Sequence, residues 1–91
     1  MIYSNYGLEK DGILVSPVEG PLVRGESYTF KIQTKYNEAA LVMDKQWVYL
    51  QSEGNGIFST QATIPADVQK VSLSVKNDSG RYWSIVGFGV K

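Results

Sequence analysis

The most constraining feature of this sequence is a run of strict alternation in its last third. Two segments alternate apolar and polar residues, and a turn sequence at 77–80 leads into a third segment at 82–90. The residues that share a face in the first two segments are Phe58, Thr60, Ala62, Ile64, Val71, Leu73 and Val75. A period of two, bounded by turn residues, predicts antiparallel strands with one buried and one solvated face.

The preceding residues add further short strands. A strand at 13–15 ends before Pro17, residues 27–33 alternate, residues 39–43 are apolar throughout, and residues 47–51 form another strand. Asn55-Gly56 favours a hairpin turn, because both residues readily adopt positive φ. About seven strands at this spacing predict an all-β, immunoglobulin-like antiparallel β-sandwich. We expect residues 13–91 to form one domain, residues 1–12 to be a lead-in segment or edge strand, and the chain to cross between sheets at 65–67.

Composition excludes several classes of function. The 91 residues carry nine basic and nine acidic side chains and contain neither cysteine nor histidine. A balanced charge argues against nucleic acid and anionic membranes, and no apolar run is long enough to cross a bilayer. The first residues lack the pattern of a signal peptide. Without thiol or imidazole we expect no enzyme, no catalytic residue and no cofactor.

Acidic residues in predicted turns raise the question of a calcium site. Asp44, Asp67 and Asp78 lie in three separate turns, whereas calcium requires six or more converging oxygen ligands. Turn geometry alone explains the short polar side chains at these positions. We therefore expect no metal site.

Seven short motifs occur in an order typical of a known family. They are PVEGP at 17–21, GESYTFKI at 25–32, ALV at 40–42, WVYL at 47–50, GIF at 56–58, GRYWS at 80–84 and FGV at 88–90. From about residue 13 to residue 90 the chain resembles the immunoglobulin-like module of transglutaminase-like, kyphoscoliosis-peptidase-type proteins, many of them bacterial and exported. The Cys-His-Asp catalytic set of that family has no counterpart here. The resemblance implies an accessory module of a larger protein.

The candidate ligand-binding residues are the aromatic side chains Trp47, Tyr49, Tyr82 and Trp83. Flat rings on an exposed sheet face can stack on sugars, whereas the alternative is that at least one tryptophan fills the core. Trp47 and Tyr49 share one side of their strand. If Tyr82 faces inward with residues 86 and 88, then Trp83 faces outward; a bulge at Gly87 would instead turn Trp83 inward.

Two hypotheses for the function remain. The first is a non-catalytic module of a larger, exported protein that acts as a spacer or docks on neighbouring domains of the parent chain, another protein or a cell-wall polymer. The alternative is a carbohydrate-binding module with an exposed Trp/Tyr platform. Both predict an extracellular or cell-surface location, a monomer and no insertion into a membrane.

Overall fold

The computed structural model describes residues 3–5, 12–18 and 21–91, and for residues 3–5 it describes the main chain. These residues contain no helix, and hence no helix that could span a membrane. They form nine strands: β1 (Tyr3–Asn5), β2 (Ile13–Ser16), β3 (Ser27–Gln33), β4 (Ala39–Met43), β5 (Gln46–Tyr49), β6 (Gln51–Gly54), β7 (Ile57–Thr63), β8 (Val71–Lys76) and β9 (Tyr82–Phe88). Of the predicted lead-in, residues 1, 2 and 6–11 lie outside the described residues.

The strands form two antiparallel sheets. One has the order β1-β9-β8-β4-β5 and the other the order β2-β3-β7-β6. With β2 as strand A, these orders correspond to G-F-C-C′ and A-B-E-D of an immunoglobulin fold, with β1 added beside strand G. The predicted all-β, immunoglobulin-like sandwich is thereby confirmed, and the chain crosses between sheets after β7 as expected.

The core lies between the two sheets. Phe30 and Ile32 from one sheet and Leu41, Leu73 and Val75 from the other are completely buried. Phe30 contacts Phe88 edge to face, with ring centroids 5.5 Å apart. Each such large side chain contributes about 1.5–3 kcal/mol by leaving water, so this shared apolar layer holds the sheets together.

The predicted strand at 47–51 is two strands in the structure. β5 belongs to the five-stranded sheet and β6 to the four-stranded sheet, and Leu50 alone separates them. The Leu50 side chain is buried in the core, while its N–H still donates to the carbonyl of Ala39 at 3.0 Å. The apolar side chain therefore anchors the point at which the chain changes sheets, which alternation alone does not reveal.

A β-bulge decides which side chains of β9 face the core. Leu73 pairs with Val86 and Ser74 pairs with Ser84, so Ile85 is an extra residue in β9. Ile85 and Val86 are both completely buried. The bulge reverses the alternation, so of the two arrangements that the sequence left open, the structure has the one with Trp83 inward and Tyr82 on the outer face. Trp83 does pack inward, but the bulge lies at Ile85 and not at Gly87.

Hydrogen bonds fix the loops at one end of the sandwich. The Asp44 carboxylate, in the β4–β5 turn, accepts bonds from the main-chain N–H groups of Gln69 (3.1 Å) and Lys70 (2.8 Å). The Arg24 guanidinium donates through Nε and Nη2 to the carbonyl of Val68 at 3.0 and 2.7 Å. Both contacts hold the connection between β7 and β8 against distant parts of the chain.

The end of the chain pairs in parallel with the segment before β3. Leu22 and Val90 form a parallel bridge. The N–H of Leu22 donates to Gly89 (2.9 Å), the N–H of Lys91 donates to Leu22 (2.7 Å), and the N–H of Arg24 donates to Lys91 (3.2 Å). This bridge links the two sheets, because Val90 follows β9 of the five-stranded sheet and residues 22–24 lead into β3 of the four-stranded sheet.

Candidate functional site

Three of the four candidate residues cluster on the outer face of the five-stranded sheet. The ring centroids of Trp47 and Tyr82 are 5.2 Å apart and nearly perpendicular, and Tyr49 lies 6.4 Å from Trp47 and 6.2 Å from Tyr82. Trp47 is 44% exposed and Tyr49 is 61% exposed. We call this cluster of Trp47, Tyr49 and Tyr82 the aromatic patch.

Small residues in the middle of the sheet allow the patch to form. Tyr49 on β5 and Tyr82 on β9 are separated by β8 and β4. Ala40 pairs with Tyr49 on one side and with Ser74 on the other, so the three share the outer face. Ala40 and Ser74 are nevertheless buried. We infer that the aromatic rings cover them, which positions the rings against one another.

An ion pair whose two charges cancel lies at the border of the patch, beside Tyr82. Lys76 Nζ lies 3.1 Å from a carboxylate oxygen of Glu38, and the Tyr82 hydroxyl donates to Glu38 at 3.2 Å. Burial, followed by the negative charge of Glu38, raises the pKa of Tyr82 to about 12. The hydroxyl therefore stays protonated at neutral pH, and the border adds hydrogen-bonding groups without net charge.

Trp83, the fourth candidate, does not belong to the patch. It pairs with Val75 on the inner face of the sheet and packs partly buried against the core. The sequence did not identify Glu38 or Lys76 as neighbours of the site. Glu38 directly precedes β4 and Lys76 is the last residue of the neighbouring β8, so the two opposite charges face each other.

The same outer face continues beyond the patch as a shallow depression. Ser72, Ser84 and Gly87 contribute to its lining. Trp47 pairs with Val42, Val42 with Ser72, and Ser72 with Gly87, so one row of the sheet runs from the patch into the depression. Ser72, Ser84 and Gly87 are each partly exposed on this face.

The acidic side chains of the described residues are dispersed. Nowhere in the described ranges do three potential metal-ligating side chains come together. Glu53, on the other sheet, accepts a hydrogen bond from Ser59 and lies 3.2 Å from Lys31 Nζ. These two contacts, that from Ser59 first, lower the pKa of Glu53. The Glu53 side chain therefore forms local contacts with Ser59 and Lys31 on the surface of the four-stranded sheet.

No family model matches the sequence, and neither do any curated protein or solved structure.

Proposed function

We propose that this domain is a non-catalytic interaction module of a larger, exported protein, and that it docks through the aromatic patch. The observation that carries the proposal is the exposure of two large aromatic side chains, Trp47 and Tyr49, side by side on a regular strand. Its partner is a neighbouring domain of the parent chain, another protein or a cell-wall polymer. The resemblance of residues 13–90 to accessory modules of transglutaminase-like proteins supports the proposal that this domain belongs to a larger protein.

The patch has the properties of a binding hot spot. Tryptophan and tyrosine are enriched at the centres of interfaces, where they bury a large area with few rotatable bonds. Here the three rings contact one another, so less side-chain freedom is lost when a partner covers them. The hydroxyl of Tyr82 and the Glu38–Lys76 pair supply the polar rim that such a centre needs.

Photo-cross-linking tests the docking function directly. A photoreactive benzoylphenylalanine replaces Tyr49 in the full-length parent protein, produced and illuminated in its native host. The matched control carries it at Ile13, an equally exposed apolar position, at 62%, on the opposite sheet. We expect a discrete adduct from position 49 alone. Adducts that are absent, or the same from both positions, would contradict the proposal.

A second candidate function is carbohydrate binding. The rings of Trp47 and Tyr49 are tilted by only 35° and lie next to each other, which suits the stacking of adjacent sugar rings. The hydroxyls of Ser72 and Ser84 continue along the same face. The Glu38–Lys76 ion pair leaves this border of the patch without net charge, which favours an uncharged glycan.

Tryptophan fluorescence separates this candidate from protein docking. In the Trp83→Phe variant, Trp47 is the one tryptophan. The quenching of its emission by iodide is measured alone and with each member of a panel of cell-wall and plant glycans. Saturable protection by one glycan, lost in Tyr49→Ala and retained in Ile13→Ala, would establish carbohydrate binding. Unchanged quenching with every glycan would rule against this second candidate and leave docking in place.

A further inference from the structure

The outer edge of β5 offers unpaired main-chain groups beside the aromatic patch. β5 lies at the edge of its sheet and pairs with β4 alone. The bond from Leu50 N–H to Ala39 C=O fixes the phase of this pairing, because hydrogen-bonded pairs alternate along an antiparallel ladder. Leu41–Val48 is therefore a hydrogen-bonded pair, whereas Trp47 and Tyr49 direct their N–H and C=O groups away from β4.

These groups have no partner within the described residues. Neither the main-chain N–H nor the C=O of Trp47 or Tyr49 bonds to another described residue. Two donors and two acceptors thus face outward, two residues apart. We propose that an uncharged, extended peptide segment adds to this edge as a further β-strand. This inference rests on the proposed docking function and names the chemical class of the partner.

Both edges of the four-stranded sheet, β6 and β2, carry features that oppose strand addition, and β5 does not. β6 contains the charged Glu53, ends in glycine and has a register shift. β2 is bulged at Val15 and is followed by Pro17. Charges, bulges and prolines are the usual protection of edge strands. β5 is regular over four register pairs and has no charged residue; Lys45 lies in the turn before it.

The spacing of the free groups selects the ligand. A strand presents an N–H and a C=O toward the same side at every second residue, about 6.6–6.8 Å apart. That repeat matches Trp47 and Tyr49, which are themselves two residues apart in a strand. A sugar has no such repeat of alternating donor and acceptor. Main-chain bonds of this kind supply affinity, and alternate side chains supply selectivity.

The aromatic patch determines which side chains the added strand can carry. Alternate side chains of the peptide would project over the same face as the Trp47 and Tyr49 rings. The rings are uncharged, and Glu38 neutralises the nearby Lys76. An isolated charge placed there would lose water without gaining an opposite charge. We therefore expect apolar or hydroxyl-bearing residues at these positions of the ligand.

Amide hydrogen exchange measured by NMR tests strand addition. The probes are capped seven-residue peptides in which threonine alternates with valine, isoleucine, phenylalanine or tyrosine, added to the isotopically labelled 91-residue chain. We expect saturable slowing of exchange at the amides of Trp47 and Tyr49 by about tenfold or more, since exchange requires release of the new hydrogen bonds. The amide of Val48, already bonded to β4, serves as the internal control.

Backbone methylation of the peptide distinguishes main-chain pairing from contact with the rings. Methylation of an amide that faces β5 should weaken binding about fivefold or more, because one hydrogen bond is lost and its partner is left unpaired. Methylation of an amide on the opposite edge should leave binding within about twofold. On the protein side, Trp47→Pro removes one free donor and should weaken binding more than Trp47→Ala does.

Three outcomes would overturn the proposal. The first is that no peptide slows exchange at millimolar concentration, and the second is that methylation has equal effects on both edges of the peptide. The third is protection that rises with protein concentration alone, which would identify a second copy of this chain as the occupant. If adducts still form at position 49 in the cross-linking experiment, the docking function stands and strand addition alone fails.

Discussion

The Asp44 carboxylate should contribute more to stability than its exposed position suggests. Asp44 occupies the tight turn between β4 and β5 with a φ of 55°. Its side chain accepts two main-chain N–H bonds from the connection that leads into β8. Replacement of Asp44 by glycine or alanine therefore removes both bonds, and comparison of these two variants tests the cost of a β-carbon at this positive φ.

The size of the effect follows from these two contributions. A hydrogen bond to a charged acceptor contributes about 1.5–3 kcal/mol, and exposure favours the lower end of that range. Asp44→Gly loses both bonds but accepts the backbone conformation, so we expect a loss of about 2 kcal/mol after water replaces the carboxylate. Asp44→Ala adds about 1 kcal/mol of strain from a β-carbon at positive φ. Asp44→Asn keeps one acceptor oxygen and should lose about 1 kcal/mol.

Urea denaturation of the three variants measures these free energies of unfolding. The expected order of stability is wild type, Asn, Gly and then Ala, with amide exchange accelerated at Gln69 and Lys70 in the last two. Stabilities within about 0.5 kcal/mol of wild type for both Gly and Ala would refute the reasoning, because surface substitutions without a structural role fall in that range. So would an alanine variant that is more stable than the glycine variant.

Three further predictions concern Tyr82 of the aromatic patch, the glycines of a turn and the Glu53 carboxylate. Tyr82→Phe should remove the tyrosine absorbance transition with a pKa of about 12, and Glu38→Gln should lower that pKa without restoring the ordinary value of 10, because burial is the larger cause. Gly56→Ala should be more destabilising than Gly54→Ala in thermal unfolding; both have positive φ, but only at Gly56 would a β-carbon meet a main-chain oxygen, at 2.8 Å. Glu53 should contribute to a loss of stability of the wild type as the pH falls below 4.5, and Glu53→Gln should abolish that contribution.

The direction of each pH effect follows from the sign of the pKa shift. A raised pKa means that the folded chain favours the protonated Tyr82 hydroxyl, so stability falls as the pH rises from 10 to about 12. A lowered pKa means that the folded chain favours the Glu53 carboxylate, so stability is complete above 4.5 and falls below it. An absorbance titration unchanged by Tyr82→Phe, or an acid limb unchanged by Glu53→Gln, would contradict these assignments.

Most of the sandwich is predictable from the sequence, because period-two alternation and turn residues report local geometry. The Asn55-Gly56 turn has positive φ at both residues, as expected for a hairpin of this type. The prediction fails where tertiary packing overrides the local pattern. Ile85 is apolar whether or not it is bulged, so alternation cannot show that Tyr82 lies on the outer face of the sheet. The switch at Leu50 is hidden in the same way by an uninterrupted run of strand-forming residues.

The candidate site was only partly predictable for a related reason. The shared face of Trp47 and Tyr49 follows from their spacing, since side chains two residues apart point to the same side of a strand. The approach of Tyr82 does not follow, because it depends on the strand order and on the small side chains of Ala40 and Ser74 that lie between. No local pattern in the sequence reports that side chains of β5 and β9 meet across the two strands that lie between them.

The parallel bridge between Leu22 and Val90 has a consequence for mechanical load. A tension that pulls the N-terminal side of Leu22 away from the C-terminal side of Val90 would draw two parallel segments past each other in shear. All of the hydrogen bonds that join residues 22–24 to residues 89–91 would then bear the force together. By contrast, β1 is antiparallel to β9 and pairs Tyr3 with Phe88, so the same tension would peel it away one residue pair at a time. Under this tension β1 should therefore detach at low force. The parallel pairing of residues 22–24 with residues 89–91 should resist until its hydrogen bonds break together.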